Sequence, residues 1–439
     1  MTEFKSILTE AFKGHILNAQ PLALSANTHF SARSIDNKIH HKKAALVEND
    51  RKVQKAIRAG FGKPGDAVIA IGDHPDFEAL SGTDHSEYHY IATLFMDVAG
   101  STRLGRLYPL DQVKRIKNGF MCLAIEIVQA FDGHVHRLQG DAVMAYFGGK
   151  NCTAEQACVD ALNAASLILY FAEKIVEPEL RREGIDEPPG IRVGIDYGKD
   201  ADVFWSSYGY PGTSEVTATS FYVDMAAKLQ HAAPKNGLMI GNSLVEHLDI
   251  PEHLLEVRKS KSEGNEISQP YVLPNYSDSD GNKFNYRQWV FNANKYLRST
   301  PIAEFDPELR AGMQSAGSFK IQLTIHSAEN GSELRTYSPS SSVLKKDEWI
   351  RFKLELPISV GYPYDATFLV NNHGNQAKNL GGENSGDHET LYTIKSSSEH
   401  ASLTHWEQAA FRGLHYMTVK VKGKSTNFSQ ERKIGIYVE

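Results

Sequence analysis

Two aspartates, each at the end of an apolar, strand-like run, are the residues of this sequence best placed to do chemistry. Asp97 lies in the segment LFMDVAGST (residues 94–102), and Asp141 lies in RLQGDAVMAYF (residues 137–147). If these runs are neighbouring strands of one sheet, the two carboxylates meet at one edge and can share a pair of divalent cations. One cation of such a pair activates an attacking oxygen while the other holds phosphate oxygens. The pattern therefore predicts a metal-dependent enzyme that acts on a nucleoside triphosphate.

The composition is that of an ordinary globular protein. The chain has 439 residues, of which 41% are hydrophobic and 23% are charged, and this length suits about two or three domains. The formal net charge of −6 provides no broad basic surface, so we expect no nucleic-acid partner. No apolar run approaches the roughly 18–20 residues of a membrane helix, and the first residues lack the features of a signal peptide. Three cysteines are too few for a disulfide framework, so we expect a cytoplasmic protein.

The elements that must position the two aspartates are visible as alternating strand and helix patterns. Residues 90–96 predict a strand, and the apolar spacing from 111 to 131 predicts an amphipathic helix. Residues 134–138 and 142–147 predict a hairpin with Gly140-Asp141 at its tip. The patterns that follow predict a helix over 153–176, a strand over 191–197, a helix over 215–233 and a strand over 237–241. Helices that recur between strands indicate a domain with layers of helices on a sheet.

The sequence patterns before and after this domain differ from those within it. Residues 1–88 are polar and irregular, with helical patterns over 2–14 and 44–60 and a short apolar run at 68–71. Residues 318–439 contain several short segments that alternate apolar and polar residues, which is typical of an all-β sandwich. We therefore predict an N-terminal extension (1–88) that packs on the next domain, a catalytic domain (89–275), a linker (276–317) and a β-sandwich domain (318–439).

Three motifs, in this order, resemble those of the class III nucleotidyl cyclases, the family of adenylate and guanylate cyclases. Phe95–Thr102 is similar to the motif of the first metal aspartate, Gly140-Asp141 to the turn of the second, and Ile191–Gly198 to a later strand motif. The resemblance covers residues 89–275. It implies an α+β fold, in which a ferredoxin-like cyclase domain places its helices on an antiparallel-rich sheet.

The resemblance also implies roles for individual residues. Asp97, Asp141 and the backbone of Val98 would bind two divalent cations, Mn²⁺ or Mg²⁺, and Arg192 would pair with the phosphates. The turn after the first aspartate opens a helix whose free N–H groups can hold the triphosphate, and its residues are Val98, Gly100, Ser101 and Thr102. The γ-phosphate would be held by a basic residue among Arg258, Lys259 and Lys261.

Four positions depart from the pattern of the purine cyclases in that family. The two base-reading positions hold Arg137 and Thr217, where purine cyclases often have Lys and Asp. The late-helix positions that orient the ribose and stabilise the transition state hold Asp224 and Lys228 instead of Asn and Arg. Larger side chains in a base pocket leave room only for a smaller ring, so these departures favour a pyrimidine base.

With its β-rich C-terminal region, the chain resembles the bacterial pyrimidine cyclases of anti-phage defence. That resemblance implies conversion of UTP or CTP to 3′,5′-cyclic UMP or cyclic CMP and pyrophosphate, as a signal in the infected cell. It implies a C-terminal sensor domain for a phage-derived or cellular trigger. The active site of the family forms between two subunits, so a chain with one cyclase domain is expected to form a homodimer with composite sites.

Other interpretations stay open from the sequence alone. The chain could be an adenylate or guanylate cyclase with a divergent pocket, or an inactive cyclase-like module that binds nucleotide and signals. Asp97 could cap the helix that follows it, and Asp141 could be an ordinary turn residue. The basic candidates could be solvated surface cations, namely Arg137, Arg192 and Lys228.

Overall fold

The computed structural model describes residues 9–10, 53–65, 70–210, 212–262, 265–306, 308–309, 319–357, 360–379, 386–395 and 402–439. Most of the helix predicted over 2–14, the first part of the helix predicted over 44–60, and residues 68–69 of the predicted apolar run lie outside these ranges. None of the helices in these ranges is long and apolar enough to cross a membrane.

The described ranges contain the following elements. The strands are β1 (Ser86–Tyr88), β2 (Ile91–Ala99), β3 (His134–Gln139), β4 (Ala142–Phe147), β5 (Gly190–Gly198), β6 (Phe204–Tyr210), β7 (Thr213–Thr219), β8 (Gly237–Gly241), β9 (Leu255–Glu256), β10 (Lys259–Ser262), β11 (Asn265–Ser268), β12 (Gln288–Phe291), β13 (Lys320–His326), β14 (Glu333–Thr336), β15 (Val343–Leu344), β16 (Trp349–Glu355), β17 (Tyr364–Asn371), β18 (His388–Ile394), β19 (Ser402–Gln408), β20 (Gly413–Gly423) and β21 (Ser429–Val438). The α-helices are α1 (Ser101–Leu107), α2 (Leu110–Ala130), α3 (Ala154–Phe171), α4 (Glu177–Arg182), α5 (Phe221–Ala232), α6 (Asn242–Leu248), α7 (Ala293–Leu297), α8 (Ile302–Phe305) and α9 (Asn375–Asn379).

A central sheet has seven strands in the order β3-β4-β2-β5-β8-β12-β9. Its neighbouring strands are antiparallel except for β5 and β8, which are parallel. Helices α2 and α3 cover one face, where Ile116 and Phe120 of α2 are buried in the same cluster as Leu94 and Ile195 of the sheet. The apolar spacing along α2 thus forms the stripe that a helix needs for burial on a sheet.

Helix α5 packs on the opposite face of the central sheet, and a glycine allows it to come close. A Cβ atom at Gly194 of β5 would lie 2.2 Å from the backbone nitrogen of Gln230 and 2.4 Å from the carbonyl oxygen of Ala226. Both atoms belong to the backbone of α5, so any side chain at position 194 would have to displace the helix.

The chain before the central sheet packs against it. Residues 53–60 are helical, and Val53, Ile57 and Phe61 belong to the same hydrophobic cluster as α2. The Lys63 ammonium lies 2.6 Å from the Asp160 carboxylate of α3, and both side chains are almost fully buried. These contacts attach the segment to the face of the sheet that α2 and α3 cover.

The C-terminal region consists of two facing sheets. One has the strand order β14-β13-β16-β19, and the other has the order β15-β21-β20-β17-β18. The inner faces share one hydrophobic cluster, in which the ring centroids of Phe352 (β16) and Phe368 (β17) are 6.3 Å apart. Two packed sheets with alternating inward residues form a β-sandwich. The predicted fold class, an α+β domain with an antiparallel-rich sheet plus an all-β sandwich, is confirmed.

The sandwich is joined to the central domain by shared core and by buried hydrogen bonds. Leu414, Tyr416 and Tyr437 of the sandwich belong to the hydrophobic cluster of the central domain. The Asn163 side chain of α3 donates to the carbonyl oxygen of Ser340 at 2.8 Å. The two regions therefore share a buried interface.

The prediction of one helix over 215–233 is wrong in its first part. Residues 213–219 form strand β7, whose alternating sequence TSEVTAT contains β-branched residues that favour a strand. Helix α5 begins after Ser220, whose hydroxyl accepts a hydrogen bond from the N–H of Tyr222 at 3.2 Å. The predicted linker, 276–317, includes strand β12 of the central sheet, paired with β8 and β9. The proposed domain boundaries stay predictions.

Candidate active site

Asp97 and Arg192 form an ion pair between two neighbouring strands. They face each other in the register of β2 and β5, and the guanidinium donates twice, from Nε to Oδ1 at 3.0 Å and from Nη2 to Oδ2 at 2.5 Å. This two-pronged arrangement is a strong, charge-assisted pairing. Arg192 Nη1 also lies 3.4 Å from the carbonyl oxygen of His231 at the end of α5. The pair therefore sits beneath the last turn of α5.

Asp141 lies in the turn between β3 and β4, at the end of the sheet where Asp97 lies. Gly140 adopts a φ of +65° there, a conformation that glycine supplies without strain. Strands β2 and β4 pair Met96 with Val143, so one further step along the register brings Asp97 level with residue 142, next to Asp141. Strands in a sheet are about 5 Å apart. The two aspartates thus lie at the same end of adjacent strands, as the sequence predicted.

The donor set at this edge fits divalent cations. Mg²⁺ and Mn²⁺ prefer oxygen ligands. Asp141 Oδ2 is buried without a hydrogen-bond partner, and the nearest cation, Lys117 Nζ of α2, is 3.6 Å away. A buried oxygen in this state gains from a bound cation. In the described ranges no three His, Cys, Asp or Glu side chains converge on one point, so further metal ligands would come from the backbone or the substrate.

The turn after Asp97 has the geometry of a sharp strand-to-helix junction. Gly100 has a φ of +75° and stands immediately before α1, and no side chain caps this helix. The alternative that Asp97 caps the helix is therefore wrong, because its carboxylate is bonded to Arg192 instead. Ser101 and Thr102 form the first turn of α1.

The two base-reading candidates are both linked to strand β7, Thr217 as part of it and Arg137 through an ion pair. Thr217 lies on β7, and its hydroxyl is 3.1 Å from the hydroxyl of Tyr146 on β4. Arg137 on β3 forms an ion pair with Glu215, two residues earlier on β7. Burial raises the pKa of Tyr146, which keeps this phenol protonated and able to donate.

Sequence reasoning missed the hairpin of β6 and β7, its residue Glu215 and the contact of Tyr146 with Thr217. A signal was present, because two alternating runs flank the turn-forming dipeptide Pro211-Gly212. Lys117 was missed as well, and its position beside Asp141 has no sequence signature, since it depends on how α2 packs on the sheet.

The late-helix candidates line a separate, open cavity. Asp224 and Lys228 of α5 lie along its wall, and its volume is about 910 Å³. Lys228 Nζ is 5.3 Å from the ring centroid of Tyr276. Arg258, one of the three basic candidates for the γ-phosphate, lines the same cavity and donates from Nε to the carbonyl oxygen of Ala232 at 2.8 Å.

The other two basic candidates are less well placed. Lys259 pairs with Glu266 at 3.2 Å, and both side chains are exposed. The side chain of Lys261 lies outside the described part of the structure. The described contacts include none between Asp97 and Lys228, although Arg192, the partner of Asp97, contacts the carbonyl oxygen of His231, which lines the same cavity as Lys228.

Parts of this chain are similar to a known domain family and to a solved structure. Residues 300–439 match the family model described as the adenylyl/guanylyl and SMODS C-terminal sensor domain. The crystal structure of the adenylyl cyclase CyaB from P. aeruginosa is 17% identical, with 47% of this chain and 95% of that chain covered and a TM-score of 0.39. The matched residues include all the strands of the C-terminal sandwich.

Two curated relatives extend the similarity over most of the chain. A cytidylate cyclase of Staphylococcus aureus is 36% identical over 383 residues, which cover 85% of this chain and 86% of that protein. A cytidylate cyclase of Escherichia coli is 33% identical over 450 residues, which cover 99% of this chain and 93% of that protein. The chain belongs to the cytidylate cyclase family, and the resemblance to pyrimidine cyclases is confirmed.

Proposed function

We propose that this protein is a pyrimidine nucleotide cyclase that converts CTP to 3′,5′-cyclic CMP and pyrophosphate. The observation that carries the proposal is the similarity to cytidylate cyclases along nearly the whole chain, together with two aspartates at one end of adjacent strands. In this reaction the 3′ oxygen bonds to the α-phosphorus and the bond from that phosphorus to the pyrophosphate oxygen breaks. The 3′ proton passes to solvent.

The metal ligands in this proposal are Asp97, Asp141 and the carbonyl oxygen of Val98. When bound, two divalent cations, Mg²⁺ or Mn²⁺, lower the pKa of the 3′-hydroxyl and neutralise the triphosphate. Arg192 holds Asp97 in place before substrate binds. With triphosphate present, the same guanidinium can donate to phosphate oxygens, for which its fork of N–H groups is well suited.

The polar groups at the hairpin of β6 and β7 support a cytosine base. Cytosine presents an amino donor beside ring and carbonyl acceptors. Glu215 offers an acceptor, while Arg137 and Thr217 offer donors on the same face. Uracil lacks the amino donor, so the Glu215 carboxylate would lose a partner with UTP. We therefore place CTP before UTP as the substrate.

We propose that the complete site forms in a homodimer. Asp97 and Asp141 come from one subunit, and Asp224 and Lys228 come from the other. Support comes from exposed aromatic side chains on the hairpin of β6 and β7, where Tyr210 is 82% exposed and Tyr208 is 49% exposed. Large exposed aromatics of this kind are typical of protein interfaces.

Mixed dimers test this arrangement directly. Asp97→Ala and Lys228→Ala are each expected to abolish activity when present in both subunits. A dimer with one change in each subunit keeps one intact composite site, so mixing the two inactive proteins should restore about a quarter of wild-type activity after random exchange. If the mixture remains inactive although exchange is demonstrated, the shared site is wrong.

Substrate choice is tested by product analysis. The purified chain is incubated with Mn²⁺ or Mg²⁺ and with each of CTP, UTP, ATP and GTP in turn, and the products are identified by mass. Cyclic CMP should dominate, and Asp97→Asn should form none. Cyclic AMP or cyclic GMP as the main product would instead identify a purine cyclase with a divergent pocket. Nucleotide binding without any product would identify an inactive signalling module.

We further propose that the cyclic nucleotide is a signal in defence against phage, and that the C-terminal sandwich receives the phage-derived or cellular trigger. The family description of residues 300–439 as a sensor domain supports this role. Cells that carry the wild-type chain should accumulate cyclic CMP after infection and restrict the phage. Cells with Asp97→Asn should do neither. Product formation that is unaffected by infection would contradict the sensing role.

A further inference from the structure

A second cavity lies between the central domain and the C-terminal sandwich, apart from the residues assigned to the cyclase site. Its volume is about 480 Å³, within the range of roughly 300–1,000 Å³ that small-molecule sites occupy. His253, Lys295 and Arg298 line it from the central domain, and Tyr337 and Lys433 line it from the sandwich. A molecule bound here would contact both regions at once.

The described residues do not neutralise all the positive charges of this junction cavity. Arg432 pairs with Glu304 at 3.0 Å, and Glu431 pairs with Lys420 at 3.5 Å, so both lining carboxylates are already occupied. Within the described residues, no carboxylate lies within salt-bridge distance of the three other lining cations, Lys295, Arg298 and Lys433.

These cations sit close to further basic and aromatic groups. Lys433 Nζ lies 3.5 Å from the ring centroid of Tyr416, whose hydroxyl is 3.3 Å from His253 Nε2. Burial and then the charges of Lys433, His373 and Lys295 lower the pKa of His253 to about 4. The pKa of Lys433 is also lowered, by burial and then by Arg298, with Glu431 acting in the opposite direction. Like charges this close repel, and a bound anion would relieve the repulsion.

Part of the lining of the junction cavity is apolar. Leu323 is buried in the sandwich core and Ile434 follows Lys433 on β21, and both line the cavity. Tyr337 is buried beside them and uses its hydroxyl to donate to the carbonyl oxygen of Gly435 at 3.3 Å. A ligand that fits therefore combines a negatively charged group with a flat or apolar organic part.

We propose that the junction cavity binds a small organic phosphate of the nucleotide class. Its phosphate lies against Lys295, Arg298 and Lys433, and its base or sugar lies against the apolar part of the lining. Because the ligand spans both regions, its binding couples the sandwich to the central domain.

Binding is tested on the full-length chain with the cyclase site disabled by Asp97→Asn and Lys228→Ala, in EDTA. The probes are CMP, CTP, cyclic CMP, AMP and inorganic phosphate, and binding is measured by calorimetry and by the rise in melting temperature. Arg298→Glu, at an exposed position, tests the phosphate contact, and Lys433→Gln tests it from the sandwich side. Lys346→Glu is the matched control, since Lys346 is exposed and does not line the cavity.

At least one nucleotide should bind and raise the melting temperature, whereas inorganic phosphate should bind more weakly because it cannot contact the apolar part of the lining. Arg298→Glu and Lys433→Gln should weaken binding by about tenfold or more, the effect expected for loss of a charge-assisted hydrogen bond. Lys346→Glu should leave it unchanged. Failure of every nucleotide to bind, or equal binding by Arg298→Glu, Lys433→Gln and the parent, would overturn the proposal. The outcome does not depend on which triphosphate the cyclase uses.

Discussion

Replacement of Gly194 by alanine should damage catalysis although the residue contacts no substrate. Gly194 lies on β5, two positions after Arg192, and directly under α5, the helix that carries Asp224 and Lys228. Its missing side chain lets the backbone of α5 rest on the strand. Any added atom therefore acts on the relative position of Arg192, which we propose pairs with phosphate, and the late-helix residues.

The size of the effect follows from the contacts that a new Cβ would make. It would lie 2.2 Å from the nitrogen and 2.7 Å from the Cα of Gln230, whereas ordinary contacts begin near 3.4 Å. The obstacle is backbone, so α5 must move by about 1 Å. Overpacking of this kind destabilises a fold by about 1–3 kcal/mol, and a shift of about 1 Å in catalytic groups can lower the rate by about 100-fold.

The assay compares cyclase turnover and melting temperature for Gly194→Ala, the parent and Gly105→Ala. Gly105 is an exposed helical glycine with open space around it, so alanine there should leave turnover unchanged and stabilise the fold by about 0.5–1 kcal/mol. Gly194→Ala should still fold but lose most of its activity. Parent-like turnover and melting temperature in Gly194→Ala would refute the reasoning, because α5 would then not be held by this contact.

Three further outcomes are expected. Burial raises the pKa of Asp196 to about 7. The folded state therefore binds a proton at Asp196 more tightly than the unfolded chain does. The free energy of unfolding should fall by roughly 4 kcal/mol from about pH 4 to pH 7. Asp196→Asn should flatten that part of the profile of melting temperature against pH; an unchanged slope contradicts the assignment. Tyr146→Phe removes the hydroxyl that contacts Thr217 and should reduce selectivity for CTP over UTP by a few-fold in competition assays. Selectivity equal to that of the parent would exclude a role for this hydrogen bond. Lys117→Met removes the cation beside Asp141 and should lower the Mn²⁺ concentration for half-maximal activity, whereas a higher requirement would show that Lys117 supports the site.

The spacing of apolar residues predicted most of the helices and strands, because the buried face of a helix and that of a strand repeat with different periods. The predicted helix over 111–131 is α2, and the predicted hairpin is β3 and β4 with Gly140-Asp141 at its turn. The alternating segments after residue 318 form the sandwich strands. Amphipathic helices and half-buried strands carry their periods in the order of their residues, so no knowledge of the partner elements was needed.

The hairpin of β6 and β7 and strand β12 escaped prediction for a different reason. β7 is short and half-exposed, with only Val216 and Ala218 buried, so its apolar signal is weak and the neighbouring helical pattern masked it. β12 has four residues, and its place in the central sheet depends on pairing with β8 and β9. Such pairings form between segments far apart in the chain, and short segments do not encode them.

The order of residues along the chain was sufficient to determine which groups could do the chemistry: two aspartates, an arginine on a later strand, and an altered set of base and ribose positions. Only the tertiary structure decided their partners. Strand register places Asp97 opposite Arg192, helix packing brings Lys117 to Asp141, and the packing of the β6–β7 hairpin brings Glu215 to Arg137. Composition and spacing specify the type and local direction of a side chain, whereas its contacts depend on the register and packing of distant elements, which form only in the folded chain.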